Sequence, residues 1–296
     1  RDDLFTVVHE QVHTDTVDYA DIVLPAPTFL EYLDLYKSYG HYGMGVGKPV
    51  VEPLGEAKPN LEVFRLLARR MGFTESCFDD TETDVMRQAL ETRSSYLAGV
   101  DLEKLMAGES QQLDVGAGGD PFAGGFFTPS GKLEFYSESM AKQGFDPLPS
   151  YAPCHESPEN LALRAKYPLQ LLVPPSVHFL NSTFGAVAEQ RRQMGRPSIK
   201  IHPADARSRG IASGELVRVA NDRGECRYCA EVTEDTRSGV VVAEGLWWAK
   251  HTPGGRSINT LVSNRLTDLG GGSTFQCNLV EVTRAPESAP PLEPLA

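Results

Sequence analysis

The sequence predicts an α/β plus mainly-β chain, in which an open α/β sheet domain is followed by a small barrel of short strands. Three observations carry this. Between Pro197 and Glu244, short apolar runs alternate with polar residues and each closes at a turn signal, the pattern of half-buried strands. Near the start, the apolar runs Leu4 to Val8 and Asp21 to Leu24 flank a polar loop with room for a helical turn; open α/β sheets present ligand groups on such loops, beyond the carboxyl ends of their strands. The proline-rich string from Asp146 to Pro153 reads as the linker between them.

Bulk properties narrow the function classes. A chain of 296 residues can build two cores, and no apolar run reaches the length of a membrane helix. With 28 basic against 40 acidic residues the net charge is −12, which repels phosphate backbones and argues against nucleic acid as the main partner. A basic cluster at Arg191, Arg192, Arg196 and Lys200 still suits a cofactor phosphate. Five scattered cysteines do not make a disulfide framework and are compatible with a reducing compartment. The chain opens on Arg1 rather than methionine, and is read as the C-terminal portion of a longer protein.

In chain order, Tyr32 to Gly47 mixes aromatics and glycines without period, and its glycines do not match the dinucleotide fingerprint. Pro53 to Phe73 contains an amphipathic helix: Asn60 can cap it, Leu61, Phe64, Leu67, Ala68 and Met71 form the stripe expected against the sheet, and Gly72 stops it. Thr83 to Leu97 and Leu102 to Met106 read as shorter helices, and Gly108 to Gly125 as a mobile loop. Phe126 to Glu138 reads as a hairpin turning at Pro129, Ser130 and Gly131. After the linker, Tyr167 to Val173 is a buried strand that delivers His178, Asn181, Ser182 and Thr183 into one loop. Several short donors and acceptors at one point are what a pyrophosphate needs.

In the barrel stretch, Pro203 opens and Gly210 ends a short helix, Asn221 to Gly224 is a tight reversal, and Val240 to Val242 is a strongly β-branched strand. The adjacent Trp247 and Trp248 would face opposite ways on a strand. Cys226 and Cys229 form a CxxC, but no second pair follows at zinc or iron–sulfur spacing, so structural cysteines are the better reading. No HExxH, GxSxG or P-loop is present.

The ordered motifs IHPADA, RGI, GELVRV, NDRG and a late valine strand, with ADIVLP near the start, resemble the molybdopterin oxidoreductases of the dimethyl sulfoxide reductase family. The resemblance implies the C-terminal part of an open α/β domain (1–157, including the hairpin linker), a double-psi β-barrel binding the molybdopterin dinucleotide (158–285) and a disordered tail (286–296). It implies molybdopterin guanine dinucleotide, two per protein, with molybdenum or tungsten. An iron–sulfur cluster and the protein ligand to the metal would belong to a preceding part, and this chain supplies no metal ligand. Carried over residue by residue, Glu10, Gln11 and Thr14 lie in the loop at the guanosine end, although Val17 replaces the usual alanine. A solvated loop and a helix cap are the competing account.

Asn60 stands where the family often has Asp; capping explains it equally. Tyr39, Gly40 and His41 fall in a region that often contacts cofactor or funnel. His178, Asn181 and Ser182 lie in the loop against the cofactor. Trp248 either stacks on the cofactor or packs in the core. Asn259, Phe275 and Gln276 occupy the closing segment that holds a guanosine, with Gln276 where lysine is frequent. The function implied is two-electron redox chemistry or oxygen-atom transfer in a cytoplasmic enzyme, or a periplasmic one behind a twin-arginine signal. Expected partners are a small-molecule substrate, the rest of its own polypeptide and electron-transfer subunits. The substrate stays open. The alternative from another class is a non-catalytic double-psi barrel serving as a binding or adaptor module.

Overall fold

Two neighbouring strands open the chain. β1 (Val7–Glu10) and β2 (Ile22–Pro25) pair in parallel, Val7 opposite Ile22 and Glu10 opposite Pro25, across a loop with a 3-10 turn at Val17–Tyr19. The computed structural model describes residues 1–116, 120 and 122–286. Part of the expected Gly108–Gly125 loop and all but the first residue of the expected tail lie outside them. Two units form: Arg1–Val12 with Tyr19–Ser150, and His13–Asp18 with the described residues from Tyr151 on.

In the first unit, the stretch read as aperiodic is an antiparallel pair. β3 (Asp34–Lys37) and β4 (Gly43–Gly47) are in register from Asp34–Gly47 to Lys37–Met44, and β5 (Gln111–Gln112) adds to β4. Its glycines hid it, because glycine carries no strand preference. They serve packing: a Cβ on Gly47 would sit 2.5 Å from the Tyr36 ring, so the ring lies across bare backbone.

The helix α1 (Asn60–Met71) corrects two expectations. Pro59, not Asn60, is its N-cap, and no side chain caps it. Its apolar stripe is not covered by the sheet, since Phe64, Leu67 and Met71 are exposed while Arg65 and Ala68 are buried. Arg65 decides the packing. Its guanidinium pairs with Glu62 at 3.4 Å and Glu82 at 3.2 Å and donates to the Asp80 carbonyl, which ties α1 to the start of α2 (Glu82–Leu90). The stop at Gly72 is as expected, with φ +81° and its amide on the Ala68 and Arg69 carbonyls.

After α3 (Leu102–Met106) the expected hairpin at Phe126 to Glu138 is absent. A turn closes between Thr128 and Gly131, but no strand follows, and Leu133 and Phe135 stay exposed. The chain enters α4 (Glu138–Lys142) directly.

The second unit begins with α5 (Leu161–Lys166) and β6 (Leu169–Leu172), then α6 (Ala188–Met194), β7 (Ser198–Ile201), α7 (Pro203–Ser208), β8 (Leu216–Asn221), β9 (Gly224–Val232), β10 (Val240–Val242) and β11 (Asn278–Arg284). Six strands close a barrel in the order β10-β6-β11-β8-β9-β7. The β10–β6 and β7–β9 pairs are parallel and the other four antiparallel. Alternate residues point inward: Leu169 and Leu171, Ile199 and Ile201, Val217 and Val219, Cys226, Tyr228 and Ala230, and Val280 and Val282 make one core with Ile258, Leu261 and Trp247. Each such aliphatic side chain contributes about 1.5–3 kcal/mol on burial.

The HPADA segment folds as read. His202 caps α7, Pro203 is its first residue, and Gly210 takes φ +63°. Asp205 Oδ2 accepts from the Gly239 amide at 2.8 Å, bracing the turn before β10. Trp247 and Trp248 are not on a strand, because β10 ends at Val242 and Gly245 turns the chain with φ +75°. They nevertheless face apart, Trp247 into the core edge-on to Phe179 and Trp248 half-exposed. Cys226 lies in the barrel core, where burial pushes its thiol up to about 12, and Cys229 Sγ donates to the Gly214 carbonyl.

Candidate functional site

In the first unit, Gln11 and Asn60 line one cleft of about 460 Å³ with Pro27, Tyr32, Phe64 and Met86. The Gln11 amide donates to the Pro27 carbonyl at 2.8 Å. Asn60, freed from capping, sets its Oδ1 2.8 Å from His9 Nδ1, while His9 Nε2 lies 3.1 Å from the Pro25 carbonyl. His9 therefore orients Asn60, a role its place inside an apolar strand concealed. Glu10 ends β1, and its carboxylate accepts from the Gln11 amide at 2.8 Å. Tyr39 and His41 line a different cleft in this unit, and His41 Nδ1 accepts from the Gly43 amide at 2.9 Å.

In the second unit, the segments that bear three predicted residues, Thr14, Ser182 and Trp248, are tied together. The Asp15 carboxylate accepts from the amides of Ala249 and Lys250, and Lys250 Nζ donates to the His13 carbonyl. This fastens the loop bearing Thr14 to the segment bearing Trp248. The Trp248 indole donates to the Ser182 carbonyl at 2.8 Å, which adds the loop after β6. The Trp248 ring stacks on His251, with centroids 6.0 Å apart and planes 16° from parallel, and Lys250 Nζ stands 5.2 Å from its centroid. Burial first, then Arg191 and Lys250, lower the His251 pKa. Arg191, from the basic cluster, donates to the Gly185 carbonyl at 2.7 Å.

Leu180 and Thr183 bridge across a two-residue turn of Asn181 and Ser182. Asn181 takes φ +54° and Phe184 φ +70°. The left-handed region is tolerable for asparagine, but a bulky residue adopts it only where its surroundings impose it. His178 is half-buried, with its amide on Ser176 Oγ at 3.0 Å.

Asn259 is exposed on a 3-10 turn, Ile258–Leu261. Phe275 is exposed as well. Gln276 is committed elsewhere: Oε1 accepts from the Val173 amide and Nε2 donates to the Val173 carbonyl, both at 3.0 Å. That amide pair lengthens the β6–β11 ladder by one side chain.

One polar group among the predicted site residues of the second unit is left without a partner. Thr14 Oγ1 is buried and has no hydrogen-bond partner among the described residues. A buried hydroxyl without a partner is costly, and a ligand oxygen or nitrogen would satisfy it. Sequence reasoning missed Asp15 and Lys250, which join the two segments; their only signal was proximity to Thr14 and Trp248. Among the described residues, no three His, Cys, Asp or Glu side chains converge as a metal cluster.

Comparison with known proteins agrees with the motifs. Residues 169–279 match the family described as molydopterin dinucleotide binding domain, and residues 1–70 match molybdopterin oxidoreductase. The chain is 40% identical to a probable oxidoreductase, YoaE, of Bacillus subtilis over 96% of its own length and 40% of that protein's. It is 33% identical to dimethyl sulfoxide reductase DmsA of Escherichia coli, over 92% of this chain and 36% of that one. It is 31% identical to the dimethyl sulfoxide/trimethylamine N-oxide reductase of Rhodobacter capsulatus, over 82% and 32%. Acetylene hydratase from Pelobacter acetylenicus shares the fold, with a TM-score of 0.75 at 24% identity over 95% of this chain and 40% of that one. The chain thus spans two fifths or less of the length of these proteins.

Proposed function

We propose, because the chain belongs to the molybdopterin oxidoreductases of the dimethyl sulfoxide reductase type, that it is a cofactor-holding part of a molybdenum or tungsten oxidoreductase that binds molybdopterin guanine dinucleotide. The observation that carries the reading is the joining of the three segments that bear Thr14, Ser182 and Trp248, through the Asp15–Ala249 and Trp248–Ser182 bonds, with the Thr14 hydroxyl buried and unpartnered among the described residues. The closed six-strand order with parallel β6–β10 and β7–β9 pairs supports assigning the barrel to the double-psi class.

On this reading the bound cofactor supplies the metal-centred two-electron chemistry, and the protein's part is binding and orientation. Thr14 hydrogen-bonds the cofactor. The Asn181–Ser182 turn presents short polar groups to it, and Trp248, fixed by Ser182 and His251, walls the site against water. Asn259 and Phe275 offer an amide and an aromatic face, the pair that suits a guanine base. Electron-transfer subunits are the partner class, and the cytoplasm, or the periplasm behind a twin-arginine signal, is the compartment. No helix among the described residues is long and apolar enough to cross a membrane.

The test is elemental analysis for molybdenum and tungsten, with fluorescence of the oxidised pterin, on full-length protein from a host that makes the guanine dinucleotide. Metal and two pterins per chain are expected. Absence of both from a folded protein would transfer the assignment to a non-catalytic binding module.

A further inference from the structure

The closing segment contains a buried polar node that the cofactor reading does not itself use. Asn278, at the start of β11, is fully buried. Its Oδ1 accepts from the Ser263 amide at 2.9 Å, and its Nδ2 donates to the Phe275 carbonyl at 2.7 Å. One side chain therefore joins the end of the turn that carries Asn259 to the segment that carries Phe275 and Gln276.

Arg223, at the tip of the β8–β9 hairpin, stands behind it. Its Nε and Nη2 donate to the Leu261 carbonyl at 3.0 and 2.6 Å, and Nη2 lies 3.4 Å from Asn278 Oδ1. Asn221 Nδ2 donates to the same Leu261 carbonyl at 2.9 Å. The Glu156 carboxylate holds the guanidinium in a two-point pair and also accepts from the Leu279 amide at 3.3 Å. A fork of donors held by a carboxylate fixes direction as well as distance.

We infer that Asn278, backed by Arg223 and Glu156, is a positioning element that fixes the segment after the Asn259 turn to the segment bearing Phe275, so that one purine base can be read by both residues. Two features support this over a purely structural role. Asn259 and Phe275 are themselves exposed, whereas Asn278, which bonds the Phe275 carbonyl and the Ser263 amide just beyond the Asn259 turn, is fully buried. A buried amide that serves two loops is also strongly specified: leucine would match its volume and leave the Ser263 amide and the Phe275 carbonyl unpaired. The nucleotide part of the inference rests on the function proposed above; the positioning part does not.

Asn278→Asp separates the two bonds. It keeps an acceptor for Ser263 and replaces the donor facing Phe275 with a second acceptor. Hydrogen exchange on the 296-residue chain should then show about tenfold faster exchange at Phe275, Gln276 and Cys277, with Ser263 changed by less than about threefold and the barrel strands unchanged. Arg223→Lys, which keeps the charge but not the fork, should speed exchange at Val262 and Ser263 instead. A uniform rise over all strands, or no local change in either variant, overturns the positioning role.

In the full-length protein, the same Asn278→Asp change should lower pterin content per folded chain at least fivefold, while Asn278→Gln is tested for partial rescue. If the unaltered protein holds no pterin, the cofactor reading fails and the exchange result still decides the node. If the unaltered protein holds pterin and Asn278→Asp retains all of it, the link from the node to nucleotide binding fails.

Discussion

Replacing Gly185 with alanine tests the geometry around Trp248. A Cβ at this position would meet Trp248 Nε1 at 2.7 Å, Cε2 at 2.9 Å and Cδ1 at 3.1 Å. Gly185 is not among the glycines with left-handed φ, so the cost is contact and not backbone torsion. The nearest ordinary contact is 3.4 Å, so the indole must retreat by 0.7 Å (3.4 minus 2.7). A retreat along the bond to the Ser182 carbonyl would stretch it from 2.8 Å to at most about 3.5 Å, past the usual N–H···O range. Overpacking costs about 1–3 kcal/mol and the lost bond about 1 kcal/mol, which places Gly185→Ala at about 2–4 kcal/mol. Urea unfolding followed by tryptophan fluorescence measures it. The companion measurement repeats the change in a Trp248→Ala background, where the new methyl meets open space and should cost less than about 1 kcal/mol. Two changes that add within about 0.5 kcal/mol would show that Gly185 and Trp248 are not in contact and would refute the reasoning.

Thr14→Val removes an unpartnered buried hydroxyl. Stability of the chain should be unchanged or rise by up to about 1 kcal/mol, while pterin content of the full-length protein falls at least fivefold; a clear loss of stability with full pterin content would contradict the assigned role. Arg65→Leu strands Glu62, Glu82 and the Asp80 carbonyl, and should destabilise the first unit by about 2–3 kcal/mol by chemical denaturation; a change under about 0.5 kcal/mol would show the ion pairs to be incidental. Burial raises the Cys226 thiol to about 12, so the folded state holds this proton more tightly than the unfolded chain. That stabilisation is full below about pH 9 and is lost as pH rises toward 12. Melting temperature should therefore fall across this window, less steeply in Cys226→Ala, and identical slopes would exclude Cys226 as a cause.

The parallel strands at the start, the Gly72 stop, the short helix opened by Pro203, the hairpin at Asn221 to Gly224 and most barrel strands were legible in the sequence. Each depends on residues within a few positions of one another, and periodicity, turn chemistry and caps report such neighbours directly. The motif order likewise pointed to the family whose models match. Where local signals were ambiguous, the reading went wrong. The Tyr32 to Gly47 glycines concealed a strand pair, and Phe126 to Glu138 had a turn but no partner strand.

Tertiary structure decided the rest, because the deciding contacts join residues far apart in the chain. Asn60 looked like a cap by position and is instead bonded to His9, 51 residues away. Gln276 looked like a ligand group and is paired with the backbone of Val173, 103 residues away. Asp15 ties its loop to Ala249, 234 residues distant. Sequence by itself determined which segments form and which polar groups are available. Only the packed structure determined which of those groups are spent on one another and which, like Thr14 Oγ1, have no partner among the described residues, since burial and pairing are properties of packing and have no period along the chain.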